Sequence, residues 1–349
     1  MPLAWLLEHG SLPVQVRALT ELAGPADDTR VALGGAYAHA PAVRLALQQR
    51  RDGTWDGRML SVARAGDASF EGIGTIPAVR RLLEYGWEQD APTFHAARKV
   101  LFRLLAEDLD PYYLYELRAD AGTDEYLIRR GRAVLREAAA ATLAQLGCEA
   151  DPRLRGAAVR LLDRVMSYVR ATASTAGSDT APTIPPTAAP PTPHFLVMLA
   201  YMPRFRSEHQ DEMTRLLAFL TAPTPGGTPR SPNRRDVGQP QVVLGDPLAG
   251  VSESSALPSM LAWLEVLARL GFVRRNPSWN ALLDRLLDER DAKGVWQGRT
   301  TALAPPERVW DWPTFPLGEP DAARDSLVAD MTFRLAMIAK LAGRTLEPA

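Results

Sequence analysis

Three stretches of the chain carry residue types that can do chemistry. Glu107-Asp108-Leu109-Asp110 crowds three carboxyl groups into four positions. A carboxyl among other carboxyls, if desolvated, keeps its proton above the usual range and can act as an acid. Tyr112 and Tyr113 follow at once, and Trp310-Asp311-Trp312 repeats the pairing of aromatic ring and acid near the other end. Aromatic faces attract cations or stack on sugar rings. The competing reading is structural. Asp110-Pro111 is a turn signature, charged helix ends are normally solvated, and aromatic residues first supply apolar area.

Other chemistries lack their patterns. Cys148 is the one cysteine, so an intramolecular disulfide and cysteine-pair zinc sites are excluded, and a lone cysteine is more often a small core residue than a ligand. No Gly-x-Ser-x-Gly elbow is present, and Ser252, Ser254 and Ser255 read as a helix cap. Gly72-Ile73-Gly74 lacks the strand context of a dinucleotide site. No metal and no cofactor is expected. Lys+Arg totals 40 and Asp+Glu 41, a balance that argues against a nucleic-acid partner. No apolar run approaches the ~18 residues of a membrane span. The start, Met1 to Leu7, lacks a signal-peptide pattern, so the cytoplasm is the expected location.

The elements that would position such residues are helices. Ile76, Val79, Leu82 and Leu83 recur at helical spacing, as do Phe94, Ala97, Leu101 and Leu105. Glu125 to Leu146 is alanine-rich, and Asp151-Pro152 opens another helix. Further helices are expected near 194–204, 207–221, 254–271, 277–289 and 325–343. Two stretches break the pattern. Residues 171–193 are rich in Pro, Thr and Ala, and residues 222–252 in Pro, Gly and Arg; both are expected to project as irregular excursions. The expected organisation is one all-α domain over 1–349 with a helical lead-in over 1–24. Paired antiparallel helices stack into either an open solenoid or a closed ring.

A repeated motif bears on that choice. Gln49-Arg50-Arg51-Asp52-Gly53-Thr54-Trp55 follows one apolar helix, and Arg290-Asp291-Ala292-Lys293-Gly294-Val295-Trp296 follows another. The glycine can take the left-handed conformation that ends a helix, and the tryptophan can fold back on that end. Gln49, Gly53, Trp55, Gly294 and Trp296 thus read as structural clasps between helical repeats. The first copy resembles the Q-x-x-x-G-x-W motif of the terpenoid cyclase and prenyltransferase α/α-toroid superfamily. The second differs from it by Arg290 at the glutamine position. The start, Trp5-Leu6-Leu7-Glu8, is similar to bacterial proteins of unassigned function that carry such repeats.

The resemblance implies an α/α toroid whose central cavity holds an apolar small molecule such as an isoprenoid. In a cyclase of that kind Asp108 and Asp110 would be the acids, and Tyr112, Tyr113 and Trp312 the cation-stabilising wall. Yet Glu107–Asp110 is not the DxDD of the alkene-protonating cyclases, and Asp27-Asp28-Thr29-Arg30-Val31 is not DDxxD. Two other functions remain open. One is a non-catalytic helical-repeat module for a protein partner, with Arg230, Arg234 and Arg235 on an arginine-rich loop. The other is a carbohydrate-active α/α barrel using a carboxylate pair such as Glu307 and Asp311, which requires about 5–10 Å between them.

Overall fold

The structure is a computed structural model that describes residues 2–23, 34–63, 69–106, 115–118, 122–173, 184–185, 187–221, 257–298, 316–318 and 324–345. Among them there is helix but no β-strand. The chain begins with α1 (Leu3–His9) and α2 (Leu12–Arg17), and α2 runs on into a π-helical turn, Ala18–Ala23. The helical lead-in consists of two short helices. Gly10 divides them, and a Cβ there would sit 2.5 Å from the Leu6 carbonyl oxygen.

Next come α3 (Ala40–Leu47), α4 (Thr75–Glu84), α5 (Pro92–Ala106), α6 (Glu125–Gln145) and α7 (Pro152–Ala173). The later helices are α8 (Pro193–Ala200), α9 (Pro203–Glu208), α10 (Gln210–Thr221), α11 (Leu257–Arg269), α12 (Pro277–Asp288) and α13 (Arg324–Leu341). Helix α7 runs into the stretch expected to be irregular, and residues 187–192 at its far side pack back on α7. There the Ala189 amide donates to the Arg164 carbonyl, and Arg164 Nε donates to that of Thr187. Residues 222–252 lie outside the described residues.

Two helices are buried on every side. All eight residues of α8 are buried, as a helix apolar all round must be in water. Four consecutive alanines of α6, Ala138–Ala141, are fully buried, and α6 packs closely on α8. Thr192 starts α8: its hydroxyl accepts the Phe195 amide at 3.1 Å and donates to Glu137 at 2.8 Å. Helix α13 is buried without interruption from Val328 to Ala339, although Asp330, Thr332 and Arg334 lie within that run. Such residues need partners inside the protein.

Packing follows a sequence of neighbours. Helix α4 packs on α6, α6 on α8, α8 on α11 and α11 on α13. Around them α3 lies on α4, α5 and α7 on α6, and α1 and α12 on α13. The first and last helices thus touch. One cluster of buried apolar residues extends from Leu6 to Ala342. No described helix is long and apolar enough to cross a membrane.

The core also holds His194 of α8, which is 4% exposed. Burial, helped by the positive charge of Arg80, lowers its pKa to about 4. The unfolded chain would take up a proton near 6.5 while the folded one resists it. This contribution to stability is therefore complete above pH 6.5 and is lost as the pH falls toward 4. In urea unfolding at a series of pH values, His194→Gln should lose less stability than the parent chain over that window. Parallel profiles would contradict the assignment.

Candidate functional site

Most of the residues singled out for chemistry lie outside the described residues. This holds for Asp108, Asp110, Tyr112, Tyr113, Trp310, Asp311 and Trp312, and for Glu307. Glu116, which follows the tyrosines, accepts backbone amides of Met59, Leu60 and Ser61 and fastens that loop. Cys148 is half-buried, and burial pushes its thiol up, away from the reactive thiolate. Among the described residues no group of three His, Cys, Asp or Glu could hold a metal ion.

The two Gly-x-Trp segments share one geometry. In the first, the Arg50 amide donates to the Thr54 carbonyl and the Gly53 amide to that of Arg50. In the second, the Asp291 amide donates to Val295 and the Gly294 amide to Asp291. Gly53 and Gly294 have φ of 87° and 79°, the region that favours glycine. A Cβ on Gly53 would also lie 2.6 Å from the Ala96 carbonyl oxygen of α5. Trp55 is wholly buried and its indole N–H donates to the Leu45 carbonyl of α3 at 2.7 Å. Its amide donates to the Thr75 hydroxyl of α4 at 3.2 Å. Correspondingly, the Trp296 amide donates to the Thr332 hydroxyl of α13 at 3.0 Å. Gln49 bonds the Thr93 carbonyl of α5, whereas Arg290 bonds Leu287 at the end of its own helix. Each segment thus ties a helix end to the next deeply packed helix.

A cavity of about 470 Å³ lies where the ends of α2, α4, α6, α8 and α11 converge. Ion pairs stand among apolar residues on its walls. Arg17 Nε pairs with Glu21 at 2.6 Å, Arg80 with Glu84 at 3.1 Å, and Arg269 with Glu265 at 3.0 Å. Arg269 also reaches Glu21 at 4.0 Å, which joins α11 to the turn after α2. The second oxygen of Glu84 lies 3.4 Å from Arg334 of α13, and Arg334 Nε is 2.7 Å from Asp330. Asp330 in turn accepts the Leu317 amide at 2.8 Å. Tyr201, just after α8, lies beneath the Arg269 guanidinium at 4.6 Å and donates to Glu265 at 3.2 Å.

These pairings govern the charges. Burial alone would raise Glu265, but Arg269, Arg17 and Arg334 outweigh it and hold the carboxyl down to about 2. Burial pushes the Tyr201 phenol up to about 12, so it donates rather than ionises near neutrality. Burial would lower Arg17, yet Glu21 reverses the effect and keeps it firmly charged. Glu265 is therefore a fixed anion and a poor proton donor.

Two atoms of residues that line the cavity stand apart. Arg17 is 6% exposed and Gln145, the last residue of α6, is 7% exposed. Arg17 Nη1 and Gln145 Oε1 are buried and have no hydrogen-bond partner among the described residues.

The sequence does hold a signal for this cluster. Arg17/Glu21, Arg80/Glu84, Glu265/Arg269 and Asp330/Arg334 are all spaced i, i+4. On a surface helix such a pair is commonplace and contributes only ~0.2–0.5 kcal/mol, so spacing alone does not mark it. Asp330 and Arg334 interrupting Val-Ala-Asp-Met-Thr-Phe-Arg-Leu-Ala-Met is the more telling sign.

Comparison with protein-family models, with curated proteins and with solved structures finds no match to this chain.

The clasp geometry leads to a quantitative expectation. Trp55→Ala removes a wholly buried indole and its hydrogen bond, and should destabilise by about 3–5 kcal/mol. Chemical denaturation followed by circular dichroism reads this directly. A loss below about 1 kcal/mol would show that Trp55 does not clasp the helices.

Proposed function

We propose that this chain is an α/α toroid, of the kind its Q-x-x-x-G-x-W motif resembles, that binds a small molecule in its central cavity. Support for closure comes from the contact of α1 with α13 and from the Arg334–Glu84 pair between α13 and α4. Pro2 also lies 3.3 Å from where a Cβ of Gly294 would be, which sets the start of the chain against the second clasp.

The ligand is polar. The observation that carries this is the arginine–carboxylate lining of the cavity. An isoprenoid would set hydrocarbon against Arg17, Glu84, Glu265 and Arg269, and would remove their remaining water without replacing it. A polar molecule replaces that water with hydrogen bonds. The volume also suits one, since small-molecule pockets run ~300–1,000 Å³. Leu83, Ala262 and Val266 supply apolar surface between the charges. The reading is of a binding protein. A helical-repeat module that docks another protein would need no such cavity.

Native mass spectrometry of the chain incubated with a metabolite extract tests this. The expected result is a small-molecule adduct that disappears in Ala262→Trp, which fills the cavity while circular dichroism shows helix content kept. The absence of any adduct, or an adduct indifferent to Ala262→Trp, would contradict it.

A further inference from the structure

We propose that a second cavity, where α11 and α13 end, binds a phosphomonoester group through Arg206, Arg274 and Arg275. It is a separate site from the cavity described above, and it does not depend on that reading.

This cavity holds about 450 Å³. Four arginines line it, Arg206, Arg269, Arg274 and Arg275, and among the described residues no acid does. Arg269 also lines the first cavity, where Glu265 and Glu21 offset its charge. None of the other three pairs with a carboxylate among the described residues. A cleft lined by one sign of charge focuses its field and gathers counter-ions.

Backbone carbonyls, not acids, hold these arginines in place. Helices α11 and α13 end alike, with Gly271 and Gly343 at φ of 73° and 67°. The Gly271 and Gly343 amides donate to Ala268 and Lys340, and the next amides, of Phe272 and Arg344, donate to Leu267 and Ala339. Each end is thus a Schellman close. Arg206 Nη2 donates to the Arg269 carbonyl at 2.9 Å, and its Nη1 to the Ala200 carbonyl at 2.8 Å. Arg274 Nε donates to the Ala342 carbonyl, and its guanidinium fills the place a Gly343 side chain would take. Burial lowers the pKa of Arg206; Glu149 opposes this, and Arg269 adds to the lowering. The charge of Arg206 is therefore held at a cost that an anion would relieve.

The remaining charge selects the ligand. A helix C-terminus carries about half a negative charge. Two such ends offset roughly one of the three guanidinium charges, which leaves about two. A carboxylate brings a single charge and two oxygens. A phosphomonoester brings about 1.5 to 2 charges near neutrality and three oxygens that accept from guanidinium forks. Arg274 and Arg275 are exposed and meet an incoming anion from water, while Arg206 is half-buried.

Isothermal titration calorimetry of the full chain at constant ionic strength tests this. The probes are glycerol 3-phosphate, acetate, and phosphatidylcholine vesicles with and without phosphatidate. A phosphomonoester should bind saturably and acetate should not. Arg274→Gln and Arg275→Gln should each weaken binding about tenfold, the loss of one charge-assisted contact. Arg160→Gln, at an exposed arginine of α7 outside the cavity, should leave binding unchanged, and so should Ala262→Trp, which fills the first cavity. Cooperative melting shows that each variant is folded. Binding of glycerol 3-phosphate supports the site with a soluble ligand. Binding of phosphatidate vesicles alone, with the same loss in Arg274→Gln, supports it with a lipid headgroup. Binding of neither overturns the proposal, as does equal binding of acetate or a loss in Arg160→Gln as large as in Arg274→Gln. Binding that is lost in Ala262→Trp but kept in Arg274→Gln and Arg275→Gln places the anion in the first cavity and overturns the proposal too.

Discussion

The Arg334–Glu84 ion pair joins residues 250 positions apart in the chain and ties α13 to α4. Both residues sit where water is scarce: the side chain of Arg334 is 2% exposed and that of Glu84 is 15% exposed. Removing two charges from water costs several kcal/mol per ion, so the pair is tolerable only if it is fully partnered. Partners are supplied on each side. Asp330 pairs with Arg334 Nε, and Arg80 pairs with Oε1 of Glu84, the oxygen that does not face Arg334. Asp330 is steadied in turn by the Leu317 amide. The chain of dependence runs outward from this pair, and it constrains how α4 and α13 can sit together.

A second chain of charges runs beside it. Arg17, Glu21, Arg269, Glu265 and Tyr201 link the turn after α2 to α11 and to the end of α8. Lys340 of α13 adds a bond to the Glu21 carbonyl at 2.7 Å. Apolar packing is non-directional and would accept several arrangements of these helices. Buried charges accept few, because each misplaced partner leaves an ion unpaired. The apolar clusters and Trp clasps hold the helices together, and the polar network selects their relative placement and leaves a walled cavity between their ends.

How much of this was legible in the sequence depended on what each residue's spacing could reveal. Helical class was plain, because Ile76, Val79 and Leu82 or Phe94, Ala97 and Leu101 mark a single buried face. The clasps were legible too as a pattern, since Gly-x-Trp fixes a turn whose hydrogen bonds are local. The exact place where the helical lead-in breaks was not legible, because the obstacle at Gly10 is the Leu6 carbonyl and not any propensity. The cavity was not legible. Its residues are scattered from Arg17 to Arg269, and an i, i+4 ion pair looks alike whether it faces solvent or another helix. Residues chosen instead for their local density of acids and rings, Asp108 to Tyr113 and Trp310 to Trp312, fall outside the described residues.

A double-mutant cycle on Glu84→Gln and Arg334→Met tests the central claim most directly. Unfolding free energies of the parent, both single variants and the double variant isolate the coupling between the two positions. If the buried pair selects the arrangement of α4 and α13, the two losses should be strongly non-additive. The double variant should then lie about 1–3 kcal/mol above the sum of the single effects, within the range for residues that share an ion-pair network. Losses that add to within ~0.5 kcal/mol would show that the pair is incidental and that apolar packing alone positions these helices.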